Sequence, residues 1–205
     1  MKVIAFNGSP HNEGVIYTGI LAIAGELKKA GIDAEIVHVG DKAIHGCIGC
    51  GSCRKHGLCA LKDDIVNECV EKTRAADGVI LGSPVYYGGI AGAFKCFLDR
   101  MFYTGVNLEY KAGTVVASCR RSGGIATFQQ LCNYLNLAGA VITPTVYWGV
   151  IHGNNANEVK EDGEGLYTME AAGRNMAWLM KTLEAGKNSA AKPVHGARIR
   201  TNFVR

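Results

Sequence analysis

The sequence predicts an open, doubly wound α/β sheet, and three observations carry that prediction. Short apolar, β-branched runs alternate with segments of helical periodicity along most of the 205 residues. Those runs are continuous rather than alternating in polarity, as expected of strands buried on both faces of a parallel sheet. Three of the strand ends run into turns rich in Gly, Ser or aromatic residues, and ligands bind beyond the carboxyl ends of the strands in such sheets.

The elements follow in order. Val3, Ile4, Ala5 and Phe6 form a first strand, closed by Asn7-Gly8-Ser9-Pro10. Over 14–30, Ile16, Ile20, Leu21, Ile23, Ala24 and Leu27 recur at helical spacing, and Gly31 ends the helix. A second strand covers 34–39, a helix 65–74 and a third strand 79–81. Helices over 92–101 and 128–137 flank a fourth strand at 114–118; a fifth strand covers 141–148 and a long helix 166–183. Five strands fit the flavodoxin-like order 2-1-3-4-5 better than a six-stranded dinucleotide fold, and the first βα turn lacks G-x-G-x-x-G. Residues 1–186 form one domain, with a cysteine motif at 47–59 after the second strand and a polar loop at 149–165 that suits a lid or an oligomer contact. Residues 187–205 form a basic tail carrying Lys192, Arg198, Arg200 and Arg205.

Composition narrows the function. Glycine is abundant (27) but aperiodic and proline scarce (4), which excludes collagen-like and low-complexity chains. The N-terminal apolar run is too short for a signal peptide, and no stretch reaches the length of a membrane helix. A cytoplasmic protein is therefore expected, where its eight cysteines stay reduced, which favours metal or redox chemistry over a disulfide framework. The net charge of +4 is spread along the chain, which argues against a nucleic-acid partner. The hydrolase signatures GxSxG and HExxH do not occur.

Three loops carry the binding chemistry. Gly8-Ser9-Pro10-His11-Asn12-Glu13-Gly14 leads from a strand into a helix, so backbone amides, the helix N-terminus and the Ser9 hydroxyl suit a phosphate. Gly82-Ser83-Pro84-Val85-Tyr86-Tyr87-Gly88-Gly89 offers an aromatic surface beside exposed backbone, suited to a planar heterocycle. Ser118-Cys119-Arg120-Arg121-Ser122-Gly123-Gly124 follows the fourth strand, its glycines allowing close backbone approach.

Across roughly residues 1–185 these features resemble the NADPH-dependent FMN reductase family of the flavodoxin-like superfamily. GSPHNEG resembles that family's phosphate loop, departing from it at His11 and at Val15-Ile16, so backbone groups and Ser9 are expected to keep the phosphate. The resemblance implies FMN contacts from Ser9, His11, Val15, Ile16 and Tyr17, from Ser83, Pro84, Val85, Tyr86, Tyr87 and Gly88, and from Arg121, Gly123 and Gly124. It also implies NAD(P)H as co-substrate, a quinone, flavin, nitro or azo compound as acceptor, and a homodimer or homotetramer with the 149–165 loop or the TNFVR terminus as contact.

Cys47-x₂-Cys50-x₂-Cys53-x₅-Cys59 gathers four thiols, with bends supplied by Gly46, Gly49, Gly51 and Gly57. The spacing differs from paired zinc C-x₂-C motifs and from the bacterial ferredoxin run. It resembles the compact motif of iron–sulfur flavoproteins, which pair a [4Fe–4S] cluster with FMN and exchange electrons with a ferredoxin-type protein. A cluster, a zinc ion and a set of reduced thiols all remain open from the residues. Cys69, Cys96, Cys119 and Cys132 read as buried small hydrophobes, with Cys119 notable for its place on a flavin loop. His45 and His56 read as solvated loop residues, and Asp63-Asp64 as the capping acids of a helix. Three functions compete: a nicotinamide-driven flavin oxidoreductase, an iron–sulfur flavoprotein relaying single electrons, and a non-catalytic flavin-binding module.

Overall fold

The computed structural model of the protein describes residues 1–197 and Thr201. The chain runs β1 (Lys2–Asn7), α1 (Val15–Lys29), β2 (Asp33–His38), a single helical turn α2 (Cys53–His56), α3 (Val66–Ala75) and β3 (Gly78–Tyr86). It continues through β4 (Gly89–Ile90), α4 (Gly92–Tyr103), β5 (Ala112–Cys119), α5 (Gly124–Leu137), β6 (Val141–Ile142), β7 (Val150–His152), a 3₁₀ turn at Glu158–Glu161 and α6 (Gly163–Gly186). The parallel sheet has the order β2-β1-β3-β5-β6, with β7 also paired to β5. That is the expected 2-1-3-4-5 arrangement, its fourth position taken by β5 and its fifth by two short strands.

The sheet is sandwiched because its central strands are apolar on both faces; every residue of β5 is buried. Helices α3, α4 and α5 cover one face around Phe6, Phe94 and Phe97, whose rings pack at 5.1 and 5.8 Å between centroids. Helices α1 and α6 cover the other face, with Ile16, Ile20, Met169 and Met176 against Ile80 and Val116.

The fifth strand departs from expectation. A single run over 141–148 gives way to β6 and β7, separated by a loop that swings off the sheet edge. Pro144 has no amide to donate, so the ladder breaks there. The Thr143 amide still reaches Gly113 O at 2.8 Å, the Ala117 amide reaches Gly149 O at 2.9 Å, and Asn175 holds the Pro144 carbonyl at 2.9 Å. The polar segment at 149–165 is likewise not an open loop. It holds β7, the 3₁₀ turn and the start of α6. Asn155 Oδ1 accepts the amides of Asn157 and Glu158, Glu158 accepts from Asn154 and Asn155, and Val159 is fully buried. Those acceptor contacts, first among them the Asn154 amide, hold the Glu158 carboxyl below its usual range.

Helix α6 ends at Gly186, and beyond it Lys192 Nζ lies 5.0 Å from the ring centre of Tyr110. Arg198, Arg200, Arg205 and most of the terminal TNFVR segment lie outside the described residues. Among those described, no helix is long and apolar enough to cross a membrane.

β3 and β4 form a tight hairpin in which Val85 faces Ile90 and Tyr86 faces Gly89. Both turn residues, Tyr87 and Gly88, have positive φ (+50° and +76°). Asn-Gly is the usual choice for such a turn, and a tyrosine there is strained. Two outcomes follow. Phe97→Ala is expected to lower stability by about 3–5 kcal/mol, read from urea unfolding midpoints. Tyr87→Asn is expected to raise it by roughly 1 kcal/mol, because the ring is fully exposed and only the backbone strain is relieved.

Candidate functional site

The carboxyl ends of β1, β3, β5 and β7 open onto one cavity of about 780 Å³. Its floor is the loop from Ser9 to Val15. That loop is shaped by Asn7, a fully buried residue at the end of β1 that the sequence marks only as the first residue of the closing turn. Asn7 Oδ1 accepts the Ser9 amide at 3.0 Å, and Asn7 Nδ2 donates to Asn12 O at 3.0 Å. Ser9 Oγ accepts the His11 amide at 3.1 Å, and the His38 ring, with Nε2 2.8 Å from Ser9 O, braces the loop from β2. Helix α1 then starts at Val15 with no side-chain cap and no acid in its first turn. Its N-terminal dipole and amides are thus directed at the cavity floor, an arrangement suited to an anion.

The predicted residues distribute unevenly. Ser9, His11 and Val15 line the cavity, whereas Ile16 is fully buried in the core beneath it and offers only backbone. Tyr17 is half-buried on α1 and does not line the cavity. Pro84, Val85 and Tyr86 form its second wall. Ser83 does not join them: it is fully buried, and its hydroxyl accepts the Ala91 amide at 3.0 Å and donates to Pro84 O at 2.9 Å, so it braces the hairpin instead. Tyr87 and Gly88 form the hairpin tip beyond the wall, with Tyr87 in solvent.

The third wall is Ser118, Cys119 and Arg120. Arg121, Gly123 and Gly124 face a neighbouring cavity of about 390 Å³, walled by Tyr147, Trp148 and His152, which shares Cys119 with the first. Gly123 fits this position for two reasons: its φ is +88°, and a Cβ there would press on Val85 Cγ1 at 2.8 Å. Burial raises the Cys119 thiol above its ordinary value, so this thiol is a poor nucleophile. The segment from Gly153 to Asn157, part of the polar stretch at 149–165 expected as a lid or an oligomer contact, closes the fourth side.

On the face of the sheet covered by α3 and α4 lies a second constellation. Cys47, Cys50, Cys53 and Cys59 all line one pocket of about 160 Å³, together with Arg100 and Tyr103 of α4. That is more than ten times the ~10–15 Å³ a single water requires, room for a polynuclear group. Among the described residues no three His, Cys, Asp or Glu side chains are grouped as one metal ion needs. Positive φ at Gly49 and Gly51, on either side of Cys50, supplies the bends that turn the loop back on itself. Cys53 Sγ donates to Tyr103 O at 3.2 Å. Asn67 of α3 holds Cys59 from both sides, accepting its amide at 2.8 Å and donating to its carbonyl at 3.0 Å.

Arg100 organises this pocket, and nothing in the sequence singled it out. Its side chain is fully buried, and each of its N–H groups is used. Nε donates to Cys59 Sγ at 3.2 Å, Nη1 to His45 O at 3.2 Å and to Asp64, and Nη2 to Leu61 O at 3.0 Å and Asp64 Oδ1 at 3.1 Å. Burial opposes the guanidinium charge, but Asp64 and Cys59 outweigh it and hold the group above its usual value. Asp64 Oδ1 also accepts the Val66 amide, but the expected capping role is not what the structure shows: Ile65 holds the N-cap position, Glu68 is the first-turn acid, and Asp64 serves as the counter-ion of Arg100.

The remaining thiols divide. Burial drives Cys69 up to about 12 and Cys132 up to about 11, which makes both inert at neutral pH. Cys96 is only half-buried, and its Sγ lies 3.6 Å from where a Cβ on Gly46 would stand, beside the cysteine loop. His45 and His56 are exposed, as expected.

Comparison with known proteins places this geometry in context. The model of the family described as NADPH-dependent FMN reductase matches residues 1–155. An iron–sulfur flavoprotein of Methanocaldococcus jannaschii is 34% identical over 193 residues, covering 90% of this chain and 100% of the relative. Another from Archaeoglobus fulgidus is 32% identical, covering 92% and 98%, and one from Methanosarcina thermophila is 27% identical, covering 92% and 100%. Among solved structures, RosB with a bound riboflavin-phosphate intermediate superposes at a TM-score of 0.72 with 17% identity, covering 100% of this chain and 96% of that one. A flavodoxin from the domain Archaea superposes at 0.59 with 14% identity, covering 88% and 99%. The sheet order, the loops at its carboxyl edge and these matches over most of the sequence agree, and the chain belongs to the NADPH-dependent FMN reductase family.

Proposed function

We propose that the protein is an iron–sulfur flavoprotein: an oxidoreductase that binds FMN in the 780 Å³ cavity and a [4Fe–4S] cluster on Cys47, Cys50, Cys53 and Cys59. The observation that carries this reading is that all four cysteines of one short loop line a single pocket braced by a buried cation. Four thiol donors and no other ligand type match the chemistry of an iron–sulfur site. The relatives that bear the name iron–sulfur flavoprotein support it over nine-tenths of the chain.

When bound, the two groups supply one- and two-electron transfer that side chains cannot. The protein's own part is to hold and orient. Ser9, the amides of the loop and the start of α1 receive the FMN phosphate. Pro84 to Tyr86 and Ser118 to Arg120 line the cavity and would border a bound flavin, with Arg120 adding a fixed positive charge to its wall. Arg121, Gly123 and Gly124 back that wall from the neighbouring cavity. Donor and acceptor are a ferredoxin-type protein and a small molecule in the cytoplasm, and the working form is a homo-oligomer.

A second reading keeps FMN but draws electrons from NADPH or NADH and passes them to a quinone, flavin, nitro or azo acceptor. The match to the NADPH-dependent FMN reductase model favours it.

Anaerobically purified protein is expected to contain iron and acid-labile sulfide in equal amounts beside FMN, with Cys59→Ser losing the iron and keeping the flavin. Flavin without iron in the wild type overturns the cluster reading and leaves the nicotinamide-driven one, which steady-state reduction by NADPH then tests. Ser9→Ala is expected to weaken FMN binding about tenfold, equal to about 1.4 kcal/mol, in a fluorescence titration, with iron content unchanged.

A further inference from the structure

We propose that Arg100 sets the reduction potential of the cluster at Cys47, Cys50, Cys53 and Cys59, acting as a positioning residue through its Nε–H bond to Cys59 Sγ and its paired charge with Asp64. The proposal rests on the cluster reading above and concerns what this residue adds to it.

Two features separate Arg100 from an ordinary structural arginine. First, it closes the cysteine loop from both ends. Its Nη1 holds His45 O, two residues before the first cysteine, while Nε and Nη2 hold Cys59 Sγ and Leu61 O at the far end. The intervening chain has only the short α2 turn as regular structure, and between the two ends that Arg100 holds it is tied down by Tyr103 at Cys53, Arg74 at Gly57 and Asn67 at Cys59. Second, the guanidinium, rather than its counter-ion, touches the sulfur. Asp64 balances the charge from the other side of the fork, through both oxygens. The pair is therefore neutral overall but presents its positive end to Cys59.

Adding one electron to a cluster makes it more negative. A buried N–H donor and a positive charge on a ligating sulfur stabilise that reduced form more than the oxidised one, and so raise the potential. Because the side chain is wholly shielded from water, the effect is little screened. The sign of Asp64's influence is the reverse: its carboxylate partly cancels the guanidinium, so neutralising it strengthens the positive end.

Potentiometric titration of anaerobic protein, followed by the electron paramagnetic resonance signal of the reduced cluster and normalised to iron content, tests this. Arg100→Gln is expected to disfavour one-electron reduction at least tenfold, a shift of about 59 mV to more negative potential. Arg100→Lys, which keeps the charge but not the fork, is expected to shift it less in the same direction. Asp64→Asn is expected to shift it the opposite way. Full iron with an unchanged potential in the Arg100 variants overturns the proposal. So does loss of iron in Arg100→Gln while Arg100→Lys and Asp64→Asn keep the wild-type potential, since that result makes the residue a clamp alone. Wild-type protein without iron fails the underlying reading instead, and the iron assay shows this before any potential is measured.

Discussion

A guanidinium out of contact with water is the constraint around which one half of this molecule is arranged. Burying a charge is unfavourable by several kcal/mol unless partners meet it at every donor. Arg100 finds them in Asp64, His45, Leu61 and Cys59, which come from a stretch of chain with little regular structure. The helix bearing it is fixed independently, because Phe94, Phe97, Leu98 and Met101 of α4 are sealed in the core. The dependence thus runs one way. The sheet and its aromatic layer place α4, α4 places Arg100, and Arg100 draws together the two ends of the cysteine loop, which Asn67 and Arg74 of α3 also hold.

The sheet also separates two kinds of site. Loops at its carboxyl edge build the large cavity around the entrance to α1, whereas the cysteine loop packs against the face covered by α3 and α4. No residue lines both pockets. The loop at the floor of the large cavity is shaped by backbone and buried polar groups, Asn7 and Ser9. The cysteine pocket works through side chains, and so depends on the exact partners that hold them.

Much of this was legible in the sequence, for physical reasons that also mark where legibility stopped. Continuous apolar runs reported β1, β3 and β5 because strands buried on both faces admit little else, and the glycine-rich turns reported the three loops. The cysteine spacing reported its own pocket. The fifth strand was misread because Val141 to Trp148 is apolar throughout, and periodicity does not show that Pro144 breaks the ladder. The segment at 149–165 read as a loop because its polar side chains cap and turn the backbone through local bonds rather than packing in a pattern. Ser83 and Arg120 show a finer limit: a turn motif locates a loop, but which side chain faces the cavity depends on backbone direction, and Ser83 turns inward while Arg120 lines it. Arg100 was hidden because an arginine on an amphipathic helix ordinarily points to water, and its partner Asp64 is 36 positions away.

The divided fifth strand has a consequence for how this protein behaves in a crowded solution. An open parallel sheet exposes unpaired backbone along its outer strands, and a long, regular outer strand is a template for other chains to extend. Here that border offers only two residues, then a detour carrying a proline, then three residues more. The opposite border, β2, carries Glu35 tied to Lys2 and Lys72. The β6–β7 border is broken, and on β2, a continuous strand of six residues, the charged group around Glu35 opposes pairing with another chain, so a fold rich in apolar β-branched strands is protected against growing edge to edge into fibres.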